Sequence, residues 1–242
     1  MAEGGFDFQK FIDDSKQVLM APKEYFAAMP KEGGFGEPVI KALIYGAVAG
    51  VFTLIWGLLK LSAASAMLGG AAGAGAGITS LIVSPIAAVI GLFSGAVLVL
   101  ILSAICGGST NYEANARVVA ATMILMPINA VLSFTGGLNF YLGVAVSLVV
   151  SLFGLWLLLN ALVNALGGKE GVAKVVVIVL AVLTLLSSYF SIRSYRYLSS
   201  GANVFMKGSD RVDDKEAREK AQKVLDEIMK KAQEEAAKQE NK

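Results

Sequence analysis

Two residues carry the most visible chemistry in this 242-residue chain. They are Glu113 and Arg117, a carboxylate and a guanidinium four residues apart in the stretch "CGGSTNYEANARVVA". At helical spacing they share one face. The pair could serve an active site, an ion path, or only the polar join between two apolar helices. Little else of a catalytic kit surrounds it. Histidine is absent, which removes the usual general base, proton shuttle and commonest metal ligand. The single cysteine, Cys106, excludes an internal disulfide, and its apolar context favours an inert thiol. There is no HExxH, no CxxC, no serine with a histidine to activate it, and no phosphate loop before a lysine. No aspartate lies in an apolar run, so an intramembrane aspartyl pair is missing too. A non-enzyme without cofactor or metal is therefore expected.

Neither nucleotide nor nucleic acid is expected as a partner. The GxGxG spacing in "GGAAGAGAG", residues 69–77, follows no strand pattern, so it reads as a flexible loop that dips toward the membrane. A net charge of +2 with no basic stripe leaves nucleic acid without a footprint.

The elements that must position Glu113 and Arg117 follow from composition. Apolar residues make up 55% of the chain and charged residues only 17%, against about 25% in a typical soluble domain. Between Ala42 and Val175 the only charges are Lys60, Glu113, Arg117, Lys169, Glu170 and Lys174. A soluble surface cannot be built that way, whereas an integral membrane protein with polar ends can. The expected fold class is all-α: a polytopic bundle of five transmembrane helices, with an amphipathic N-terminal helix and a charged C-terminal helix.

Five apolar runs reach the roughly 20 residues a spanning helix needs. They cover residues 38–61, 78–106, 115–135, 139–166 and 172–197. Pro38 suits a first helical position, and Lys41 and Lys60 are expected to snorkel from the ends of the first span. The second run is long enough to tilt or to begin with an interfacial turn before Pro85. Pro127 predicts a kink in the third span, with Asn129 capping a freed carbonyl. The other reading of Pro127 and Asn129 is a broken helix at a transport site.

The third and fourth spans should form an antiparallel hairpin about Gly136–Gly137. Residues equidistant from that turn share a depth, which brings Asn160 level with about Tyr112 and Glu113 and Asn164 one turn further out on the same face, so both should meet the loop of Glu113 and Arg117 at one membrane surface. Such a cluster would either hold a lipid headgroup or anionic ligand, or simply tether two helices by hydrogen bonds, the default reading. Ala42, Gly46 and Gly50 recur every four residues on the first span, as Gly91 and Gly95 do on the second. Small residues at this spacing let helices approach closely, within the chain or between copies.

The ends differ in kind, and three segments result: 1–37, an amphipathic interfacial segment; 38–198, the five spans; and 199–242, a charged helical tail. Phe8, Phe11, Ile12, Ser15, Val18 and Leu19 fall at helical spacing, giving one or two short helices on the membrane or on the bundle. The first 37 residues hold no apolar core of a signal peptide, so the first span is expected to serve as the targeting signal. In the tail, Ala221, Val224 and Ile228 belong to a thin apolar stripe that suits either a docking face for a partner or a frayed solvated end. Lysines and arginines of the N-terminal segment and the loops on its side favour a cytoplasmic N-terminus, and five spans then put the C-terminus outside.

Three stretches carry a family resemblance: "VLMAPKEYFAAM" followed by "GGFGEPVIKALIYGAVAG", "GGSTNYEANARVVAATMILMP", and "WLLLNALVNALGGKEGVAKVVVIV". They resemble the approach to the first span, the loop into the third span, and the join of the fourth and fifth spans in Yip-domain (Ypt/Rab-interacting-protein-like) integral membrane proteins. The resemblance covers about residues 18–197 and is to the prokaryotic branch. No "DLxGP"-like motif of the eukaryotic members is present, which leaves Rab GTPase partnership without support. What the resemblance implies is a five-span protein of the prokaryotic inner (plasma) membrane with a cytoplasmic N-terminus. It also implies a non-enzymatic role: a membrane-organising scaffold in trafficking, or an accessory subunit of a membrane complex. Its partners would be the lipid bilayer and other membrane or peripheral proteins, with self-association through the small-residue faces as a further option. The alternative function is a lipid or small-solute translocator using the polar cluster between the third and fourth spans.

Overall fold

The computed structural model describes residues 7–62, 65 and 70–209. Every regular element among them is helical. Helices α1 (Phe8–Met20) and α2 (Pro22–Ala28) precede α3 (Gly36–Leu58) and α4 (Gly70–Ile105). Helices α5 (Tyr112–Thr122), α6 (Leu125–Leu132) and α7 (Phe134–Leu138) follow, then α8 (Phe140–Asn160), a π-helical turn (Ala161–Ala165), and α9 (Glu170–Ser209).

Five stretches are long and apolar enough to cross a membrane: Gly36–Leu58, Gly73–Ile105, Tyr112–Leu138, Phe140–Ala165 and Glu170–Tyr195. The shortest has 23 residues, about 35 Å of helix against a hydrocarbon core of about 30 Å. The protein is an all-α, polytopic membrane protein. By its contacts the chain divides into residues 1–189 and 190–242.

One expected loop is a helix instead. Residues 70–77 begin α4, which runs on through Pro85 without an interfacial turn. The reason lies in what the glycines touch. A Cβ added to Gly57 of α3 would sit 2.5 Å from the Gly73 carbonyl oxygen, and one on Gly77 would sit 3.0 Å from Leu54 Cα. The Gly/Ala run is thus a packing face, where close backbone approach offsets glycine's poor helix propensity.

The same seam continues along the first span. A Cβ on Gly50 would lie 2.8 Å from the Ser80 carbonyl oxygen, and Ala42 is fully buried. One on Gly46 would lie 2.8 Å from Ser84 O, Pro85 Cα and Ala88 Cβ. On the second span, a Cβ on Gly95 would lie 3.1 Å from Val119 and one on Gly91 3.6 Å from Met123, both on the third span. Both small-residue stripes are therefore occupied within the chain, by the second and third spans.

The third span breaks where proline requires it. Pro127 has no N–H to give to the Met123 carbonyl, which accepts from Met126 N instead at 2.9 Å. Asn129 does not serve as the expected cap; its side chain is exposed. Trp56 steadies the broken segment, donating from Nε1 to the Ala130 carbonyl at 2.9 Å and packing on Phe134. Asn139 then caps α8, accepting from the amides of Tyr141 and Leu142.

The two N-terminal helices lie on the bundle. Phe11 packs against Tyr45 with ring centroids 5.1 Å apart, and the Ser15 and Tyr45 hydroxyls are 2.7 Å apart. Val18 and Phe26 are fully buried in a core shared with Cys106, Leu157 and Leu162. Burial at that core pushes the Tyr25 phenol up to about 12, with the Lys41 charge opposing the shift. The charged tail, with Ala221, Val224 and Ile228, lies outside the described residues.

Candidate functional site

Arg117 and Glu113 pair as the spacing predicts, with Nε donating to Oε1 at 3.1 Å. The rest of the guanidinium reaches residues that the sequence did not single out. Nη1 donates to Glu37 Oε2 at 3.1 Å, and Nη2 donates to the Gly34 carbonyl at 3.0 Å. The Gly34 amide returns a hydrogen bond to Glu113 Oε1 at 2.6 Å. Glu37 also accepts from Lys41 through its other oxygen at 2.8 Å, and Lys41 in turn reaches Asp14 Oδ2 at 2.8 Å. The result is one chain of charges, Asp14–Lys41–Glu37–Arg117–Glu113, linking α1, α3 and α5.

Both cations are buried: Lys41 is 6% exposed and Arg117 7%. Lys41 therefore does not snorkel as expected. It points inward because two carboxylates meet it there. Buried cations are tolerable only when each finds charged and hydrogen-bonding partners, and here each finds two carboxylates. Backbone conformation completes the site. Gly33 and Gly34 adopt φ of +132° and +84°, and a Cβ on Gly33 would lie 2.8 Å from Arg117 Nη2. Glycine at this turn lets the main chain press on the guanidinium. A pocket of about 350 Å³ opens beside the cluster, lined by Lys10, Asp14, Tyr25, Glu37, Lys41 and Arg117 among others.

Asn160 and Asn164 do not join this cluster. Asn160 Nδ2 donates to the Trp156 carbonyl and Asn164 Nδ2 to the Asn160 carbonyl, each at 2.9 Å on its own helix. Such back-bonding satisfies an amide in an apolar setting without any partner helix. The loops at this end do meet, through their backbones. Ser109 N donates to Leu166 O at 2.7 Å, and Lys169 N donates to Cys106 O at 2.9 Å. Gly107 and Gly167 supply the left-handed turns, with φ of +70° and +71°.

Most of the remaining polar groups of the opening stretch are committed as well; Asn115 Oδ1 is the exception, buried without a hydrogen-bond partner among the described residues. Ser103 Oγ and Asn115 Nδ2 both donate to the Ser109 carbonyl, at 2.8 and 3.1 Å. Asn111 caps α5, its Oδ1 accepting from the amides of Glu113 and Ala114. Replacing that cap by alanine, Asn111→Ala, is expected to destabilise the protein by about 1 kcal/mol. Thermal unfolding in detergent, followed by labelling of the buried Cys106 thiol, measures it; an unchanged midpoint would remove the cap from this account.

Cys106 is 1% exposed, and burial raises its thiol pKa, so it is a slow nucleophile in the folded protein. Within the charge cluster each carboxylate already accepts from at least one donor, and both cations are engaged by carboxylates. Such an arrangement holds elements together rather than presenting a free acid or base.

No family model, curated protein or solved structure matches this chain. The functional reading rests on the geometry and the sequence pattern.

Proposed function

We propose that the protein is a non-enzymatic, membrane-organising scaffold or accessory subunit of a membrane complex, of the Yip-domain type. The observation that carries this reading is the fifth span. None of the most apolar window of Glu170–Tyr195 is buried, whereas the first three spans bury 28–44% of theirs. Its first turns touch the core through Ala173, Val176 and Val177. Beyond them Ile178, Val182, Leu183 and Leu186 are exposed. An apolar helix presented in this way offers a lateral surface to lipid and to the spans of another protein. Helix association in membranes rests on such packing rather than on hydrophobic exclusion.

The charges point the same way. Ion-coupled transporters usually keep an ionisable group or a broken helix at mid-depth. Here the charges inside the spans that start the bundle gather at one end and neutralise one another. In this reading the protein resides in a prokaryotic inner membrane with its N-terminus in the cytoplasm, as the positive-inside rule favours, and its C-terminus outside, as five spans then require. Its partners are membrane or peripheral proteins.

Tagged full-length protein, purified in mild detergent and analysed by mass spectrometry, is expected to carry a stoichiometric protein partner. That partner should be lost when residues 209–242 are deleted or when Leu183 and Leu186 are changed to tryptophan. Substrate flux through proteoliposomes containing the protein alone, with no co-purifying protein, would replace this reading with the translocator one.

A further inference from the structure

A second cavity, distinct from the pocket beside the charge cluster, lies on the opposite flank of α1. The α1 residues lining the pocket beside the cluster are Lys10, Asp14 and Gln17, whereas Phe11, Ile12, Ser15, Lys16 and Leu19 line this one. Its volume is about 530 Å³. One wall is a stripe along the kinked third span: Ile124, Pro127, Ile128, Val131 and Leu132. These fall at i, i+3, i+4, i+7 and i+8, the periodicity of a single helix face. Ile44, Tyr45 and Val48 of the first span form the facing wall, and α1 crosses the top. Both walls belong to membrane-spanning stretches, so the groove lies at hydrocarbon depth below an amphipathic helix.

What fills it follows from that setting. Water needs two to four polar partners, and the lining offers almost none; Ser15 and Tyr45 already bond each other. An acyl chain fits. The stripe from Ile124 to Leu132 rises about 12 Å, most of the roughly 15 Å depth of one leaflet. The only charged group lining the groove is Lys16, which is exposed and makes no ion pair among the described residues. A lysine at the interface above an apolar slot is the complement of a phosphate above an acyl chain.

We propose that this groove is a phospholipid site: one acyl chain lies between α1, the first span and the kinked third span, and the lipid phosphate rests on Lys16. The site goes beyond the scaffold reading and does not depend on it.

Native mass spectrometry of the full chain tests the proposal. The protein is released from nanodiscs of dioleoylphosphatidylglycerol and dioleoylphosphatidylethanolamine. The wild type is expected to retain one phospholipid per chain. Filling the slot with Ile128→Trp should lower the retained fraction at least tenfold. Lys16→Glu should lower it about fivefold or more, and Lys16→Arg should keep it. Lys16 is exposed, so Lys16→Glu keeps the test decisive even where Ile128→Trp perturbs folding, which Cys106 labelling reports. A wild type without the adduct, or an adduct unaffected by Lys16→Glu, overturns the proposal. So does an adduct unaffected by a folded Ile128→Trp protein.

Discussion

Glu37→Ala is expected to be the most damaging single charge deletion in the protein, at about 2–4 kcal/mol. Glu37 is the one carboxylate that touches both buried cations, Lys41 at 2.8 Å and Arg117 at 3.1 Å. Removing a partner from a buried pair usually costs about 3–5 kcal/mol, because the remaining charge has lost its water and its counterion together. Two features reduce that figure here. The Glu37 side chain is itself 34% exposed, and each cation keeps a second carboxylate, Asp14 or Glu113. Glu113→Ala should cost less, since it releases Arg117 alone. Taking away the cations along with the acid should restore much of the loss, so the triple change Glu37→Leu, Lys41→Met, Arg117→Met is expected to sit above Glu37→Ala. The buried thiol provides the assay, as Cys106 labels only when the core opens. If Glu113→Ala proved the more harmful of the two single changes, Glu37 would not be the hub of the cluster.

Gly46→Leu is expected to part the first two spans and to destabilise the protein by more than the roughly 1–3 kcal/mol of ordinary overpacking. Even Gly46→Ala should fall within that range. Its new methyl would lie 2.8 Å from Ser84 O and Pro85 Cα, which are backbone atoms that cannot swing aside. Gly91→Ala is the matched control. Its nearest neighbour is the flexible end of Met123 at 3.6 Å, so the change should be close to neutral. The same thiol assay ranks the three variants. Equal midpoints for Gly46→Ala and Gly91→Ala would show that the seam yields more easily than its geometry implies.

Much of the architecture could be read from apolar run length, because a bilayer imposes a single scale on every span. The kink at Pro127 could be read for a similar reason: it depends on local chemistry within four residues. The glycine run at 69–77 could not, since intrinsic propensity argues for a loop and only the facing helix makes those glycines useful. Asn160 and Asn164 failed differently. Their depth could be counted, but an amide in an apolar setting takes the nearest carbonyl, and its own helix supplies one a turn away. A signal for the larger cluster was nonetheless present. Glu37–Lys41 and Glu113–Arg117 are both acid-then-base pairs four residues apart, each at the start of an odd-numbered span. Odd-numbered spans run in the same direction, so two such starts share a membrane surface and can meet. Asp14 and the Gly34 carbonyl carry no comparable mark, because nothing local distinguishes them from other surface groups.

The ionic cluster also sets an order of events as the chain is made. Arg117 bonds Gly34 across 83 residues and Glu37 across 80, whereas Lys41 finds Asp14 across only 27. A chain whose first span has just entered the membrane can already pair Lys41 with Glu37 and Asp14, but its Glu37 lacks the second cation and its Gly33–Gly34 turn has nothing to close on. The cluster is complete only when the start of the third span arrives. The Gly33–Gly34 turn and Glu37 are thereby the last parts of the cluster to close, after α1 has met the first span through Asp14 and Lys41.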